Sequence, residues 1–149
     1  MKRANLLLWL ILFLALTNIA ITATLAIERY LWAGIVDPTK CLTNPESGCF
    51  AVMHSSYAQT FGIENTTIGL LGFLLVFSAA AILLSRYRSI PTDYLEYGLF
   101  GLLAIGALGA FWFLSVQVFL LKAFCRFCVT IDSLSLVMFG IGAWRFHKL

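Results

Sequence analysis

Residues 125–144 read CRFCVTIDSLSLVMFGIGAW, a pair of cysteines followed by a long apolar run. From Phe127 to Trp144 the only charged residue is Asp132. A helix of about 20 apolar residues crosses a hydrocarbon core about 30 Å thick. Because backbone inside lipid must satisfy its own hydrogen bonds, the run is predicted to be a transmembrane helix. Two cysteines three residues apart stand where this helix begins.

Three further apolar runs of similar length precede this one. They cover Leu6–Ile27, Thr66–Ser85 and Tyr97–Leu121. The 149-residue chain is 61% hydrophobic and 11% charged, whereas soluble proteins average roughly 45–50% and 25%. This composition excludes a soluble domain, a disordered chain and a nucleic-acid-binding module. We predict an all-α membrane protein in which residues 1–149 form one domain, a bundle of four transmembrane helices.

The first run has an alternative interpretation. Lys2 and Arg3 followed by an apolar stretch and small residues are also typical of a cleaved signal peptide. The apolar core of a signal peptide has roughly 7–15 residues. The uncharged run here continues to Ile27, which favours a retained span.

The positions of Lys and Arg predict the orientation. Six of the ten fall on one side of a four-span arrangement and four on the other. The larger group is Lys2, Arg3, Arg86, Arg88, Arg145 and Lys148, and the smaller is Arg29, Lys40, Lys122 and Arg126. We therefore expect both termini to be cytoplasmic. The segments Glu28–Asn65 and Lys122–Cys128, which carry all four cysteines, are then on the outer face, where disulfides form and persist.

The two cysteine pairs differ in character. Cys41 and Cys49 enclose turn-forming residues, so their sulfurs can meet. Cys125 and Cys128 lie on one face of a helix start, where amide groups and Arg126 favour a reactive thiolate. Zinc binding by all four is an alternative, but the wide spacing of the first pair is unusual for a structural zinc site.

Two dithiols at the mouth of a membrane bundle indicate an electron relay. The loop pair would exchange with a soluble partner by thiolate attack on a disulfide. The pair at the membrane would pass the electrons to a carrier dissolved in the bilayer, and a quinone fits that role. The alternative is a non-enzymatic four-span protein with permanent disulfides, in which loss of a cysteine would affect stability alone.

The segment Cys49–Phe61 is predicted to be a short helix on the outer face, ended by Gly62. It could lie over the mouth of the bundle or be a surface helix at the lipid interface. Asp132 lies one turn below Cys128 and could tune that thiol or deliver protons to a reduced quinone. The alternative for Asp132 is a carboxylate near the interface that interacts with the helix dipole. Asn65 could simply be the N-cap of the second span.

These motifs make the chain resemble the vitamin K epoxide reductase family, including its prokaryotic members that form disulfides. The resemblance lies in two loop cysteines, a serine six residues after the second, a CxxC that opens the fourth helix, and an asparagine four residues before Gly69. Here these are Cys41, Cys49, Ser55, Cys125, Cys128 and Asn65. The other bacterial class of disulfide-oxidising quinone reductases also has four helices but carries its CxxC in the first outer loop. The order of the cysteines therefore argues against that class.

The resemblance implies a role for each cysteine. Cys128 would face the quinone, and Cys125 would be its disulfide partner in the resting site. Cys49 would attack Cys125, and Cys41 would exchange with a thioredoxin-like partner. The quinone would be of the menaquinone or ubiquinone type, and no metal is implied.

The resemblance also implies a quinone pocket, lined by Ser55 and Asn65. Asp132 occupies the position at which animal members carry a tyrosine, which puts epoxide reduction in doubt. Many bacterial members carry a fused thioredoxin-like domain. The chain ends at Leu149, so that partner is expected to act in trans.

Overall fold

The computed structural model describes residues 2–30, 48–85 and 92–148. Cys41 and three cations used to predict the orientation, Lys40, Arg86 and Arg88, lie outside this part of the chain. The described elements are α1 (Lys2–Tyr30), α2 (Gly48–Met53), a 3₁₀ turn (Ser56–Ala58), β1 (Gln59–Thr60), β2 (Ile63–Glu64), α3 (Asn65–Ser85), α4 (Thr92–Ser115), a π-helical stretch (Val116–Leu121) and α5 (Arg126–His147).

Within the described residues, four helices are long and apolar enough to cross a membrane. They are Asn5–Glu28, Asn65–Ser85, Thr92–Leu121 and Arg126–His147, with mean hydropathies of 2.4, 2.5, 2.1 and 1.6. The predicted all-α membrane fold is thereby confirmed. The third helix begins five residues earlier than predicted, at Thr92, and the fourth extends to His147.

The four long helices pack around an apolar core. α1 lies against α3 and α5, and α4 lies against α3 and α5. The core consists of Leu8, Ile11, Leu12, Ala15, Val76, Ala79, Ala80, Leu99, Leu103 and Met138. At Gly142 a Cβ atom would lie 2.5 Å from Leu103 Cδ1, so glycine lets α4 and α5 approach closely. Large apolar side chains such as Trp9, Phe13 and Phe111 point outward, as lipid contact requires.

The predicted helix from Cys49 to Phe61 is wrong in extent, because α2 ends at Met53. Both the backbone N–H and the hydroxyl of Ser55 donate to the carbonyl of Val52, at 3.3 and 2.7 Å, which closes the helix. β1 and β2 then pair in an antiparallel hairpin. Phe61 and Gly62 both have positive φ, 53° and 80°, so Gly62 belongs to a hairpin turn and does not end a helix.

The two ends of the bundle differ in their side chains. We call the end that carries Cys49, Cys125 and Cys128 the cysteine end. We call the other the Arg145 end, where the guanidinium group of Arg145 donates two hydrogen bonds to the carboxylate of Glu96. This ion pair joins α5 to α4.

Candidate redox site

Cys125 caps the N-terminus of α5. Its backbone is extended, with φ −90° and ψ 108°, and its sulfur accepts a hydrogen bond from the backbone N–H of Cys128 at 3.3 Å. The N–H of Cys125 donates to the side-chain oxygen of Gln117 at 3.0 Å. Cys125 is fully buried and Cys128 is half-buried, and both are in the thiol form. These bonds fix the first cysteine of the CxxC pair from two directions.

Cys49 lies in α2 directly against this pair. Its sulfur is 3.0 Å from the sulfur of Cys125, although the two residues are 76 positions apart. Cys49 is buried and is part of a disulfide. Gly48 makes the approach feasible, because a Cβ atom there would lie 2.2 Å from the carbonyl oxygen of Phe124. α2 can therefore rest on the segment that leads into Cys125 only with glycine at this position.

The surroundings of Cys125 favour its thiolate form. A hydrogen bond from the Cys128 side chain lowers the pKa of Cys125 below its ordinary value of 9.0. Backbone N–H groups of Cys128 and Phe127 and the charge of Arg126 act in the same direction, and together they outweigh burial. Since the thiolate is the form that attacks disulfides, Cys125 has the chemistry and the position for exchange with Cys49.

A cavity of about 530 Å³ lies next to Cys128, between the long helices. Ligand pockets in proteins have volumes of about 300–1,000 Å³ and mostly apolar walls with a few polar groups. The polar groups that line this cavity include Thr22, Ser55, Thr60, Asn65, Gln117, Cys128, Asp132 and Ser135. Of the residues predicted from the sequence, Ser55, Asn65, Cys128 and Asp132 thus share one cavity, and Cys49 and Cys125 are packed together beside α5.

Ser55 and Asn65 also have partners within the fold. The Ser55 hydroxyl donates to the Val52 carbonyl. The amide group of Asn65 donates to the carbonyl of Tyr57 and its oxygen accepts from the Thr60 hydroxyl, both at 2.7 Å. Asn65 is the first residue of α3, and these bonds tie the hairpin to that helix. An amide has two N–H donors and two lone pairs, so Asn65 keeps bonding capacity toward the cavity.

The profile of one known family, the vitamin K epoxide reductase family, matches residues 9–142. This range runs from α1 to α5 and includes all four cysteines and the cavity. The chain belongs to the vitamin K epoxide reductase family. The resemblance inferred from the cysteine motifs is confirmed.

The vitamin K epoxide reductase family is a family of membrane oxidoreductases whose members use quinones. The protein is therefore an integral membrane protein of an oxidoreductase family. This assignment disfavours the alternative of a four-span protein with purely structural disulfides.

Three buried polar residues of the bundle were not predicted from the sequence. Gln117, Asn18 and Thr22 are exposed by only 1%, 0% and 2%. The π-helical stretch holds Gln117 in the bundle, and such stretches often occur at functional sites. The available signal was an amide in the middle of an apolar run. Charge is the property that made Asp132 recognisable, and neither amide carries a charge.

His54 does not line the cavity. Its ring stacks on Phe50 with the centroids 4.0 Å apart, and its Nδ1 lies 3.0 Å from the Phe50 carbonyl oxygen. These contacts hold the end of α2 and leave proton transfer at the cavity to other groups.

Proposed function

We propose that the protein oxidises the dithiol of a thioredoxin-like partner and reduces a membrane quinone, and so supports disulfide bond formation. The observation that carries this proposal is the 3.0 Å separation between the sulfurs of Cys49 and Cys125. It joins a loop cysteine to a CxxC pair whose second cysteine lines a cavity of suitable size. Family membership supports the oxidoreductase class.

The first half of the reaction takes electrons from the partner. The partner dithiol attacks a disulfide between Cys41 and Cys49, leaves as a disulfide and generates two thiols. The Cys49 thiolate then attacks the sulfur of Cys125 in a Cys125–Cys128 disulfide, and Cys128 leaves as the thiolate. Attack of Cys41 on Cys49 restores the first disulfide and releases Cys125. Two electrons have then moved from the partner to the CxxC pair.

The second half of the reaction transfers the electrons of the CxxC pair to the quinone. Oxidation of Cys125 and Cys128 to a disulfide gives up two electrons and two protons, and these convert a quinone to the quinol. Cys128 is the member of the pair that lines the cavity. The lowered pKa of Cys125 supports its role as the sulfur exchanged with Cys49, because a thiol of low pKa is a better leaving group.

The cavity walls fit a quinone that arrives from the bilayer. Gly72 of α3 and Gly106 and Gly109 of α4 line the cavity, and a Cβ atom at any of them would meet nothing within 4 Å. Ile105 and Trp112 line it as well and are largely exposed on the outside of the bundle. A flat ring of the menaquinone or ubiquinone type can therefore enter between α3 and α4.

In this proposal the cysteine end faces the outside and both termini are cytoplasmic. The outside is the oxidising compartment, in which a disulfide donor for secreted proteins is needed. Arg145 and Lys148 near the other end agree with the excess of cations expected on the cytoplasmic side.

The test is anaerobic oxidation of the fully reduced protein by menaquinone or ubiquinone. We expect two thiols to disappear for each quinol formed, and Cys128→Ala to abolish quinol formation. Val129→Ala is the matched control, because Val129 is the next residue of α5 and does not line the cavity. If all thiols persist with both quinones, the protein does not use a quinone as its acceptor.

The relay from the partner is tested separately. We expect Cys49→Ala to block oxidation of a reduced thioredoxin-like protein, while dithiothreitol still drives quinol formation through Cys125 and Cys128. Partner oxidation at the unmodified rate in Cys49→Ala would contradict the relay.

A further inference from the structure

A layer of polar side chains lies inside the bundle, below the cysteines. Asn18 and Thr22 contribute to it from α1, and Asp132 and Ser135 contribute to it from α5. All four are buried, with at most 8% of each residue exposed. We call these four residues the polar layer.

The helix register places the members of the polar layer at matching heights. α1 and α5 are packed neighbours that run in opposite directions, and each rises about 1.5 Å per residue. Toward the cysteine end, Leu25 of α1 packs in one cluster with Cys128 and Ile131. Toward the Arg145 end, Ala15 and Met138 belong to one apolar core. Ten residues separate the two levels on each helix, from Leu25 to Ala15 and from Cys128 to Met138. Three to four residues in from the cysteine end, Thr22 is then opposite Asp132, and seven residues in, Asn18 is opposite Ser135.

Three members of the layer have polar atoms without a hydrogen-bond partner among the described residues. These atoms are both the nitrogen and the oxygen of the Asn18 amide, the hydroxyl of Thr22 and one carboxylate oxygen of Asp132. Unsatisfied polar groups are costly at membrane depth. Their presence indicates a polar ligand at this level of the bundle.

Two other threonines of α1 show that Thr22 is exceptional. Thr17 and Thr24 donate to the carbonyl oxygens of Phe13 and Ala20, one turn back, at 2.9 and 2.8 Å. This local bond is available to any threonine in a helix. The hydroxyl of Thr22, which points into the bundle and lines the cavity, does not make it. Its partner therefore lies inside the bundle and is not the backbone of α1.

The chemistry of the orphaned atoms selects water as that ligand. Asn18 presents a donor and an acceptor, and Asp132 presents an acceptor, so the ligand must both donate and accept. A quinone can only accept through its oxygens. Asn18 is also fully enclosed and is not part of the cavity wall, so a ring in the cavity does not reach it. Buried water, which makes about three hydrogen bonds, meets these requirements.

We propose that Asn18 and Thr22 hold buried water against Asp132, and that Asp132 transfers a proton from the Cys128 thiol to the reduced quinone. The inference rests on the proposed function. Asp132 lies one turn below Cys128 on the same face of α5 and lines the same cavity. The dithiol releases two electrons and two protons, the quinone takes up both, and Asp132 returns to its starting state. Asp132 is then a catalytic residue, and Asn18 and Thr22 are positioning residues.

Few other groups compete for this proton. The titratable side chains that line the cavity are Tyr57, Cys128 and Asp132, and Cys49 and Cys125 lie beside them. Among the described residues, the buried faces of α1, α3 and α4 that line the cavity contribute no charged side chain. Glu96 and Arg145 pair with each other at the opposite end.

The test combines rate with stability. In the intact protein in lipid nanodiscs, we expect Asp132→Asn to slow quinol formation about 100-fold or more, as loss of a proton-transfer group does. We expect Asn18→Leu and Thr22→Val to slow it about 10-fold and to change the melting temperature by only a few degrees, because polar contacts between membrane helices contribute little to stability on average. Thr24→Val is the matched control and should change neither quantity.

An infrared readout separates this role from a structural one. The difference spectrum between the reduced and oxidised cysteine pairs should contain a carboxyl band that Asp132→Asn removes. Asn18→Leu and Thr22→Val should shift that band, and Thr24→Val should not. Dithiothreitol should reduce the disulfides of Thr24→Val at the unmodified rate.

The outcomes distinguish the inference from the proposed function. Absence of quinol formation by the unmodified protein would refute the proposed function, and the carboxyl band would then still report whether water bridges Asn18 and Thr22 to Asp132. Normal quinol rates together with an unshifted band in both Asn18→Leu and Thr22→Val would overturn the inference while the proposed function stands.

Discussion

The two ends of the bundle differ in how they accommodate polar groups between the helices. At the Arg145 end, Arg145 pairs with Glu96, and Phe146 stacks on Phe100 with the centroids 4.7 Å apart. At the cysteine end, a cavity of about 530 Å³ lies between the helices, and the amide of Asn18 and the hydroxyl of Thr22 below it have no partner among the described residues. The first arrangement stabilises the bundle. The second reduces its stability and is what a site that binds and reduces a ligand requires.

This contrast assigns different consequences to the two ends. A change at the cysteine end should alter the reaction more than the stability, and a change at the Arg145 end should do the reverse. The following predictions test that division, starting with the largest expected effect.

Cys125→Ser should abolish transfer between the loop cysteines and the quinone. Its sulfur is the atom 3.0 Å from the Cys49 sulfur, and serine cannot take part in disulfide exchange. The melting temperature should change by only a few degrees, since serine is nearly isosteric. Quinol formation in the anaerobic assay and thermal unfolding in the same detergent measure the two effects. Residual turnover above one part in a hundred would show that Cys125 is not required.

Glu96→Gln should destabilise the bundle without altering the reaction in the folded fraction. It leaves the charge of Arg145 buried and uncompensated, a change that costs about 3–5 kcal/mol in other proteins. Unfolding in denaturant measures the free energy, and quinol formation per folded molecule measures the reaction. Asp93→Asn is the matched control, because Asp93 is exposed in the first turn of the same helix and should cost at most about 1 kcal/mol. A severe loss of activity in folded Glu96→Gln protein would abolish the distinction between the ends.

Gly106→Leu should narrow the entrance between α3 and α4. The added side chain has room in the fold but occupies the space through which a quinone would reach Cys128. We expect the quinone concentration needed for half-maximal rate to rise about 10-fold, equivalent to about 1.4 kcal/mol. Gly101→Leu is the control, since Gly101 also has open space around it and does not line the cavity. Equal kinetics in the two variants would place the entrance elsewhere.

Thiolate absorbance should show that Cys125 titrates below its ordinary pKa of 9.0. Because the pKa is lowered, the reactive thiolate persists to a lower pH than that of an ordinary thiol and is lost as the pH falls through the lowered value. Cys128→Ala removes the leading cause, so the pKa of Cys125 should rise and exchange at neutral pH should slow by a few-fold. An unchanged titration curve in Cys128→Ala would mean that the backbone N–H groups of the helix start suffice.

A feature of the site could be predicted from the sequence where it depends only on residues that are close together in the chain. Cys125 caps the start of α5, as predicted, because the apolar run that follows the CxxC must form a helix in the membrane and so places the CxxC at its first turn. The β1–β2 hairpin was not predicted, because it depends on contacts that are not visible in the local sequence. Gly62 ends a helix in one context and forms a hairpin turn in another, and the choice depends on the Phe61 backbone and on the Asn65 bonds that hold the hairpin.

Hydropathy and motif spacing are properties of contiguous residues. They were therefore enough to predict the membrane class, the four long helices, the family and the CxxC at the start of the last helix. The contact between Cys49 and Cys125 and the burial of Asn18 and Thr22 inside the bundle depend instead on tertiary packing. They arise from the rotation and register of whole helices, and from the absence of a side chain at Gly48. Packing therefore brings Cys49, Cys125 and Cys128 together beside a cavity lined by polar residues from several helices.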